Sequence, residues 1–223
     1  MERTSTIYDE TATAFALGVD RQIRAGRYRR GELFVRAALS AVPRGGNILD
    51  YGCGPGRIAA LLAEKGFSVR GLDPSPAMIG VASKQPLGSL PVEFQLIQEP
   101  LDLPAAFFDA VVCSSVIEYV AQPEELLQQF AAALRPSGVL IVSYANRRSL
   151  QRKLLQHRNL HLADQKHLWS WPEFRQLLGQ CGFRTTEKPV FFESLFDRFS
   201  PLGFLSASPL VGNLGLIISV KGR

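Results

Sequence analysis

No apolar run in the 223 residues approaches the roughly 20 that a membrane-crossing helix requires. The opening stretch, Met-Glu-Arg-Thr-Ser-Thr, is polar and holds no leader-like apolar segment. Cysteine is scarce. Cys53, Cys113 and Cys181 stand far apart, at spacings that suit neither a zinc site nor a disulfide framework. Isolated thiols in odd number fit a reducing compartment, so a cytoplasmic location is the expectation. Histidine is confined to one stretch, at His157, His161 and His167. His157 and His161 are four apart and would share a helix face, but no acid or thiol nearby completes a ligand set, and no metal is expected. There are no internal repeats, low-complexity tracts or linkers. Charge is nearly balanced, with 25 Lys and Arg against 20 Asp and Glu. A hydrophobic share of 46% and a charged share of 20% are those of an ordinary globular domain.

What is present is concentrated between Asn47 and Arg57: Asn-Ile-Leu-Asp-Tyr-Gly-Cys-Gly-Pro-Gly-Arg. A short apolar run leads into Asp50. Gly52, Gly54 and Gly56 then follow at alternate positions, and Ile58 to Ala63 continues in a helical pattern. This reads as strand, tight loop, helix. Glycines let the backbone take positive φ and let a ligand lie against the main chain, so the loop points to a nucleotide-like cofactor. Arg57 stands where a dinucleotide loop wants its third Gly, and the Gly-Lys-Ser/Thr of a phosphate loop is absent. Asp50 at the strand end would repel a pyrophosphate and attract a cation. S-adenosylmethionine carries an α-ammonium and a sulfonium and no phosphate, so it suits this loop better than NAD.

Asp50-Tyr-Gly-Cys-Gly-Pro-Gly56 resembles motif I of class I S-adenosylmethionine-dependent methyltransferases. The similarity is greatest to the branch of ubiquinone/menaquinone-pathway and natural-product enzymes. It runs from about Ile7 to Phe183. Ile7-Tyr8-Asp9 through Phe15 is similar to that branch's opening helix, which implies that Tyr8 lies near the methionine end of the cofactor; a plain surface helix is the other reading. The resemblance implies cofactor contacts from Asp50, Gly52, Cys53, Gly54 and Gly56.

Phe67 to Leu72 is rich in β formers and ends in Asp73. An acid about 20 residues past the glycines is placed to accept from both ribose hydroxyls. Asp73-Pro74-Ser75 is similar to the family's Asp-x-Ser, and Asp73 could otherwise cap the next helix. Met78, one turn on, would touch adenine or fill core. After a third strand over Val92 to Ile97, the resemblance gives Glu99 the adenine amino group, with Pro100 where the family has Ala. Phe108 to Ser114 is a near-continuous apolar run, as in a strand buried on both faces. Cys113 and Ser114 at its carboxyl end should border the cofactor. Glu118 follows, where related enzymes often carry His near the transferred methyl. It is a candidate base or cation stabiliser, or else a residue facing solvent. The Asn/Asp-Pro-Pro-Tyr of exocyclic-amine nucleic-acid methyltransferases is absent here.

Pro123 opens a helix. Leu134-Arg-Pro-Ser-Gly138 is similar to the family's turn into strand five. Beyond Asn146 the chain is irregular and basic, with Arg147, Arg148, Arg152, Lys153 and Arg158. Arg21, Arg24, Arg27, Arg29 and Arg30 crowd a second segment. By resemblance both segments form the lid, so an anionic acceptor is inferred. His167, Trp169 and the helix from Pro172 to Cys181 match a pattern that is architectural in the family. The phenylalanine-rich stretch from Phe191 is assigned to core, to a substrate wall, or to peripheral membrane contact, in that order.

The expected fold is α/β, a Rossmann-like, seven-stranded, mainly parallel sheet flanked by helices on both faces, its last strand antiparallel. A single domain over 1–223 divides into an N-terminal helical lid (1–42), a cofactor-binding core (43–145), and a substrate-lid insertion with the C-terminal strands (146–223). The expected activity is methyl transfer from S-adenosyl-L-methionine, releasing S-adenosyl-L-homocysteine, to an O, N or C nucleophile of a small anionic or amphiphilic metabolite. Glu118, His157 and His161 are the candidate catalytic groups. The alternatives are an RNA or tRNA methyltransferase and a non-catalytic cofactor-binding protein. Oligomeric state is not legible.

Overall fold

The computed structural model describes residues 2–98, 100–155, 165–185, 188–192 and 214–222. Two helices come first, α1 (Glu2–Arg24) and α2 (Arg29–Ala41). Then follow β1 (Asn47–Tyr51), α3 (Arg57–Glu64), β2 (Ser68–Asp73), α4 (Pro76–Ala82), β3 (Val92–Leu96), β4 (Phe108–Cys113), a 3-10 turn (Ile117–Tyr119), α5 (Pro123–Ala133) and β5 (Leu134–Ala145). Beyond these lie α6 (Leu150–Leu155), α7 (Trp171–Gln180), β6 (Phe183–Thr185), β7 (Val190–Phe192) and β8 (Leu214–Lys221). Among the described residues no helix is long and apolar enough to cross a membrane.

One sheet holds the eight strands in the order β3-β2-β1-β4-β5-β8-β6, with β7 also on β8. β1 to β5 run parallel, and β8 is antiparallel to β5. The expectation of seven strands is corrected at one place. The strand read over 183–190 is two, β6 and β7, which share one edge of β8 at its opposite ends. Pro189 has no N–H to give a ladder, so pairing cannot run unbroken through it. The sheet therefore keeps seven positions, the outermost occupied twice.

Alternate strand residues point to opposite faces, and each face is covered. Leu49, Val111, Leu140 and Val142 pack with Leu127 and Phe130 of α5 and Phe174 and Leu178 of α7. Ile48, Val69, Val112 and Ile141 pack on the other side with Phe34 and Ala38 of α2 and Ile58 and Leu62 of α3. The helix starts follow local chemistry. Pro123 occupies the first turn of α5, with Glu124 and Glu125 at its positive end. Ser170 and Glu173 form a capping box on α7. The turn expected at 134–138 is present as a bulge: Leu134 pairs with Phe108, residues 135–138 loop out, and pairing resumes at Val139. Ser137, in the slot of a family glycine, is held there at φ 63.

The strand order reverses between β1 and β4, since the chain steps outward from β1 to β3 and then returns to β4. Ligands of open α/β sheets bind beyond the strand carboxyl ends at such a switch point. The glycine loop after β1 and the loop after β4 flank it here.

Candidate active site

The glycine loop is folded back on the neighbouring strand, with the amides of Gly52 and Cys53 both donating to the Leu72 carbonyl at 2.7 and 3.0 Å. Its three glycines answer different demands. Gly52, at φ 72, has Val116 of the β4 loop against it, 2.1 Å from where a Cβ would stand. Gly56, at φ 75, is closed off by Phe94 and Gln85. Gly54, at φ 54, has nothing within 4 Å of a built Cβ. The open crevice therefore lies over Gly54.

Two carboxylates line it. Asp73 accepts from the Gly54 amide at 2.7 Å and from the Ser75 amide at 2.9 Å, one to each oxygen. Each oxygen keeps a second lone pair, which leaves capacity for two further hydroxyl donors. Burial raises the Asp73 pKa, and the two amide hydrogen bonds oppose the rise. The alternative role as a helix cap falls to Ser75, whose Oγ accepts from the Met78 amide at 3.0 Å. Asp50 is 1% exposed, and its Oδ2 has no hydrogen-bond partner. Burial, then the nearby Asp73 carboxylate, push its pKa up to about 7, against a hydrogen bond from the Ala59 amide. On the adjacent strand end, the buried Ser114 Oγ also has no partner. Ser115 beside it is held at φ 57, its amide donating to Ser143 Oγ at 2.9 Å.

Helix α1 is strapped across this end of the sheet by two contacts. Asp9 Oδ1 accepts from Ser75 Oγ at 2.5 Å and from the Ala77 amide at 3.3 Å. Asp20 accepts from Arg57 Nη2 at 2.7 Å and forms an ion pair with the same guanidinium. The sequence offered no local signal for either contact, because the partners are 66 and 37 residues apart. Arg57, the residue that departs from a dinucleotide loop, thus anchors the covering helix.

A second set of buried polar residues comprises Glu118, Ser143, Asn146, Ser149 and Arg152. Gln165 bridges it, accepting from Arg152 Nη1 and donating to Tyr119 Oη. Glu118 is fully buried, so the solvent-facing reading of that residue is set aside.

Other expected site residues fall as follows. Cys53 is buried, and burial with the Asp50 and Asp73 carboxylates holds its thiol well above the usual range. Cys113 is fully buried at the carboxyl end of β4. It shares the sheet face of Val111 and is enclosed among apolar residues. Met78 is buried, Pro74 is half-buried and Pro100 is exposed. Tyr8 lies in α1 with its side chain outside the described residues, and Glu99, His157 and His161 lie outside them altogether. Among the described residues no group of three or more His, Cys, Asp or Glu is arranged to hold a metal ion. Arg21 and Arg24 are exposed at the last turn of α1.

The fold is that of an α/β protein with two buried acids and open space over a glycine loop at the switch point of its sheet. An unmatched carboxylate oxygen, an unmatched serine hydroxyl, a ribose-ready acid and open space over Gly54 fit S-adenosyl-L-methionine. A family model described as "Methyltransferase domain" matches residues 21–188, and the chain belongs to that family. Its cofactor is S-adenosyl-L-methionine.

A ubiquinone biosynthesis O-methyltransferase of Xanthomonas campestris pv. campestris is 36% identical over 115 residues, 50% of this chain and 47% of that protein. The chain thus spans about half the length of the curated relatives it matches. Among solved structures, an S-adenosylmethionine-dependent methyltransferase from Mesorhizobium loti superposes with a TM-score of 0.67 at 21% identity. That alignment covers 84% of this chain and 95% of that one. A Haemonchus contortus phosphoethanolamine N-methyltransferase 2 bound to S-adenosyl-L-methionine gives 0.68 at 17% identity, covering 88% and 53%. These two likenesses establish the fold.

Proposed function

We propose that the chain transfers a methyl group from S-adenosyl-L-methionine to a hydroxyl oxygen of a small anionic metabolite. The observation that carries the reading is the pair of buried acids, Asp50 with a spare oxygen and Asp73 with spare lone pairs, around the open space over Gly54. Oxygen as the accepting atom is supported by the O-methyltransferases among the relatives. An anionic acceptor is supported by exposed Arg147, Arg148 and Lys153 after β5 and exposed Arg21 and Arg24 on α1. When bound, the sulfonium supplies a methyl already activated for in-line displacement, so much of the protein's work is positioning and exclusion of water.

In this reading Asp50 holds the α-ammonium and Asp73 holds the ribose diol. Ser114 closes the methionine end. Helix α1, tied down through Asp9 and Asp20, covers the crevice. Tyr8, Glu99 and Pro100 keep their proposed contacts with the methionine and adenine ends.

Calorimetry with S-adenosyl-L-homocysteine tests the cofactor assignments. Asp73→Ala should weaken binding by about 1–3 kcal/mol, the worth of charge-assisted hydrogen bonds. Unchanged affinity would remove Asp73 from the ribose. Methyl-labelled cofactor supplied with a cell extract tests the transfer. Label is expected in a small anionic product. Label in RNA, with binding that falls steeply in salt, would favour a nucleic-acid acceptor. Tight binding of the homocysteine product without label in any fraction would leave a non-catalytic binder.

A further inference from the structure

We propose that a cavity at the amino ends of β1, β2 and β3 binds a free α-amino acid with an apolar side chain, its carboxylate on Arg70 and its ammonium on Glu93. The inference is independent of the methyl-transfer reading, since the crevice lies at the other end of these strands. The cavity offers about 260 Å³, below the roughly 300–1,000 Å³ of most small-molecule sites, so its ligand is small. Asn47, Ser68, Arg70, Leu90, Glu93 and Phe107 are among its walls. Strand register brings the polar ones together. Asn47 pairs with Ser68, Leu49 with Arg70, and Arg70 with Glu93. Residues paired side by side, or two apart on a strand, share a sheet face. The connection from β3 to β4 packs Leu101 and Leu103 onto that face but forms no helix among the described residues. Arg70 is left half-buried and Phe107 39% exposed.

The Arg70 guanidinium stands 5.8 Å from the ring centroids of both Phe107 and Phe108. Among the described residues it makes no ion pair and no hydrogen bond. A guanidinium placed over aromatic rings keeps its N–H donors in a rigid fork that matches a carboxylate. Glu93 occupies the neighbouring register position, on a strand roughly 4.8 Å away. It is exposed, and one of its oxygens accepts from Gln95 Nε2 at 2.7 Å. Asp109, the other acid at this end of the sheet, is already matched by Arg135 Nη1 at 2.9 Å and by the Asn47 amide at 2.7 Å. Two opposite charges, side by side and not paired with each other, define the ligand. A purely anionic molecule on Arg70 would meet Glu93, and a purely cationic one on Glu93 would meet Arg70. An α-amino acid carries both charges on one carbon and satisfies each. Leu90 and the exposed ring of Phe107 then offer an apolar wall to its side chain. Arg70 is three residues from Asp73 along β2, about 10 Å, so the amino acid and the nucleoside can be bound together.

The experiment titrates L-phenylalanine into the isotope-labelled full chain, with the crevice filled by S-adenosyl-L-homocysteine, and follows the amide resonances. Shifts are expected at residues 47–48, 68–70, 90–93 and 107–108. 3-Phenylpropanoate, which lacks the ammonium, and phenethylamine, which lacks the carboxylate, should each bind about tenfold more weakly or worse. Arg70→Gln and Glu93→Gln should each weaken L-phenylalanine about tenfold or more, as expected for the loss of a charge-assisted hydrogen bond. Both variants should keep their affinity for S-adenosyl-L-homocysteine within about twofold, which also reports folding. The proposal is overturned if L-phenylalanine at millimolar concentration shifts none of these amides, if 3-phenylpropanoate binds as tightly as the amino acid, or if either folded variant binds like wild type. It is overturned equally if binding requires an empty crevice, which would put the amino acid at the methionine end of the cofactor site. Wild type that fails to bind the homocysteine product counts against the cofactor reading instead, and the same amide shifts are then expected without it.

Discussion

Burial makes Asp50 a source of pH-dependent stability. A carboxyl whose folded pKa is raised from 3.8 to about 7 holds its proton in the native state after the unfolded chain has lost it. Between those values the folded state binds more protons, so stability falls as pH rises. For this group alone the loss amounts to about 4 kcal/mol, complete near pH 7. Binding a cation works in the opposite direction, because the ammonium favours the ionised acid. Affinity for S-adenosyl-L-homocysteine should therefore increase from pH 5 to about 7 and then level. Calorimetry in buffers of different ionisation enthalpy should detect proton release below pH 7. Asp50→Asn should abolish that release. A flat affinity profile in wild type would show that Asp50 does not meet the ammonium.

The loop glycines allow a sharper comparison. Gly52→Ala puts a methyl into Val116 of the β4 loop, and Gly54→Ala puts one into open space; both must bear positive φ. The first should cost several kcal/mol of stability through overpacking added to strain. The second should cost about 1–2 kcal/mol from strain and weaken cofactor binding, because its methyl enters the open space. Thermal unfolding paired with calorimetry separates them. Equal stability losses would erase the distinction.

At the level of elements, what could be read in the sequence followed from chemistry that is local. β1, β2, β3 and β4 lie within a residue of their expected ends, because apolar runs bounded by Asp50, Asp73 and Ser114 carry both period and stop signals. What was not legible depends on contacts between distant segments. The division of β6 from β7 reflects Pro189, whose effect on pairing appears only against β8. That the amide of His167 reaches the Glu118 carbonyl is likewise a contact between distant segments. The same holds for α1, where nothing local shows that Asp20 meets Arg57. That pair is partly exposed, at 17% and 26%, so its net worth is about 1 kcal/mol or less. Asp20→Asn should leave the thermal midpoint nearly unchanged while speeding hydrogen exchange in the second half of α1 and shortening cofactor residence. Unaltered exchange there would mean that Asp9 alone holds the strap.

For the molecule as a whole, the decisive feature is that β8 lies inside the sheet although it comes from the C-terminal part of the chain. It pairs along seven positions with β5 and carries β6 and β7 on its other edge. Its side chains enter both packed faces: Ile217 meets the α5 and α7 side, and Leu214 and Leu216 meet the α2 and α3 side. Every residue proposed to touch the nucleoside precedes residue 119, so a local view would let a chain ending at residue 185 keep its cofactor. The sheet argues otherwise. Removing β8 would leave β5, which is buried along Gly138–Ala145, with an unpaired edge and two half-empty layers. Unpaired buried backbone groups and lost apolar contacts of that extent exceed the few kcal/mol by which domains are stable. A 1–185 truncation should show no cooperative urea transition and no binding of S-adenosyl-L-homocysteine. If it binds with wild-type affinity, the crevice is set by β1 to β4 alone and the C-terminal strands serve the acceptor side only.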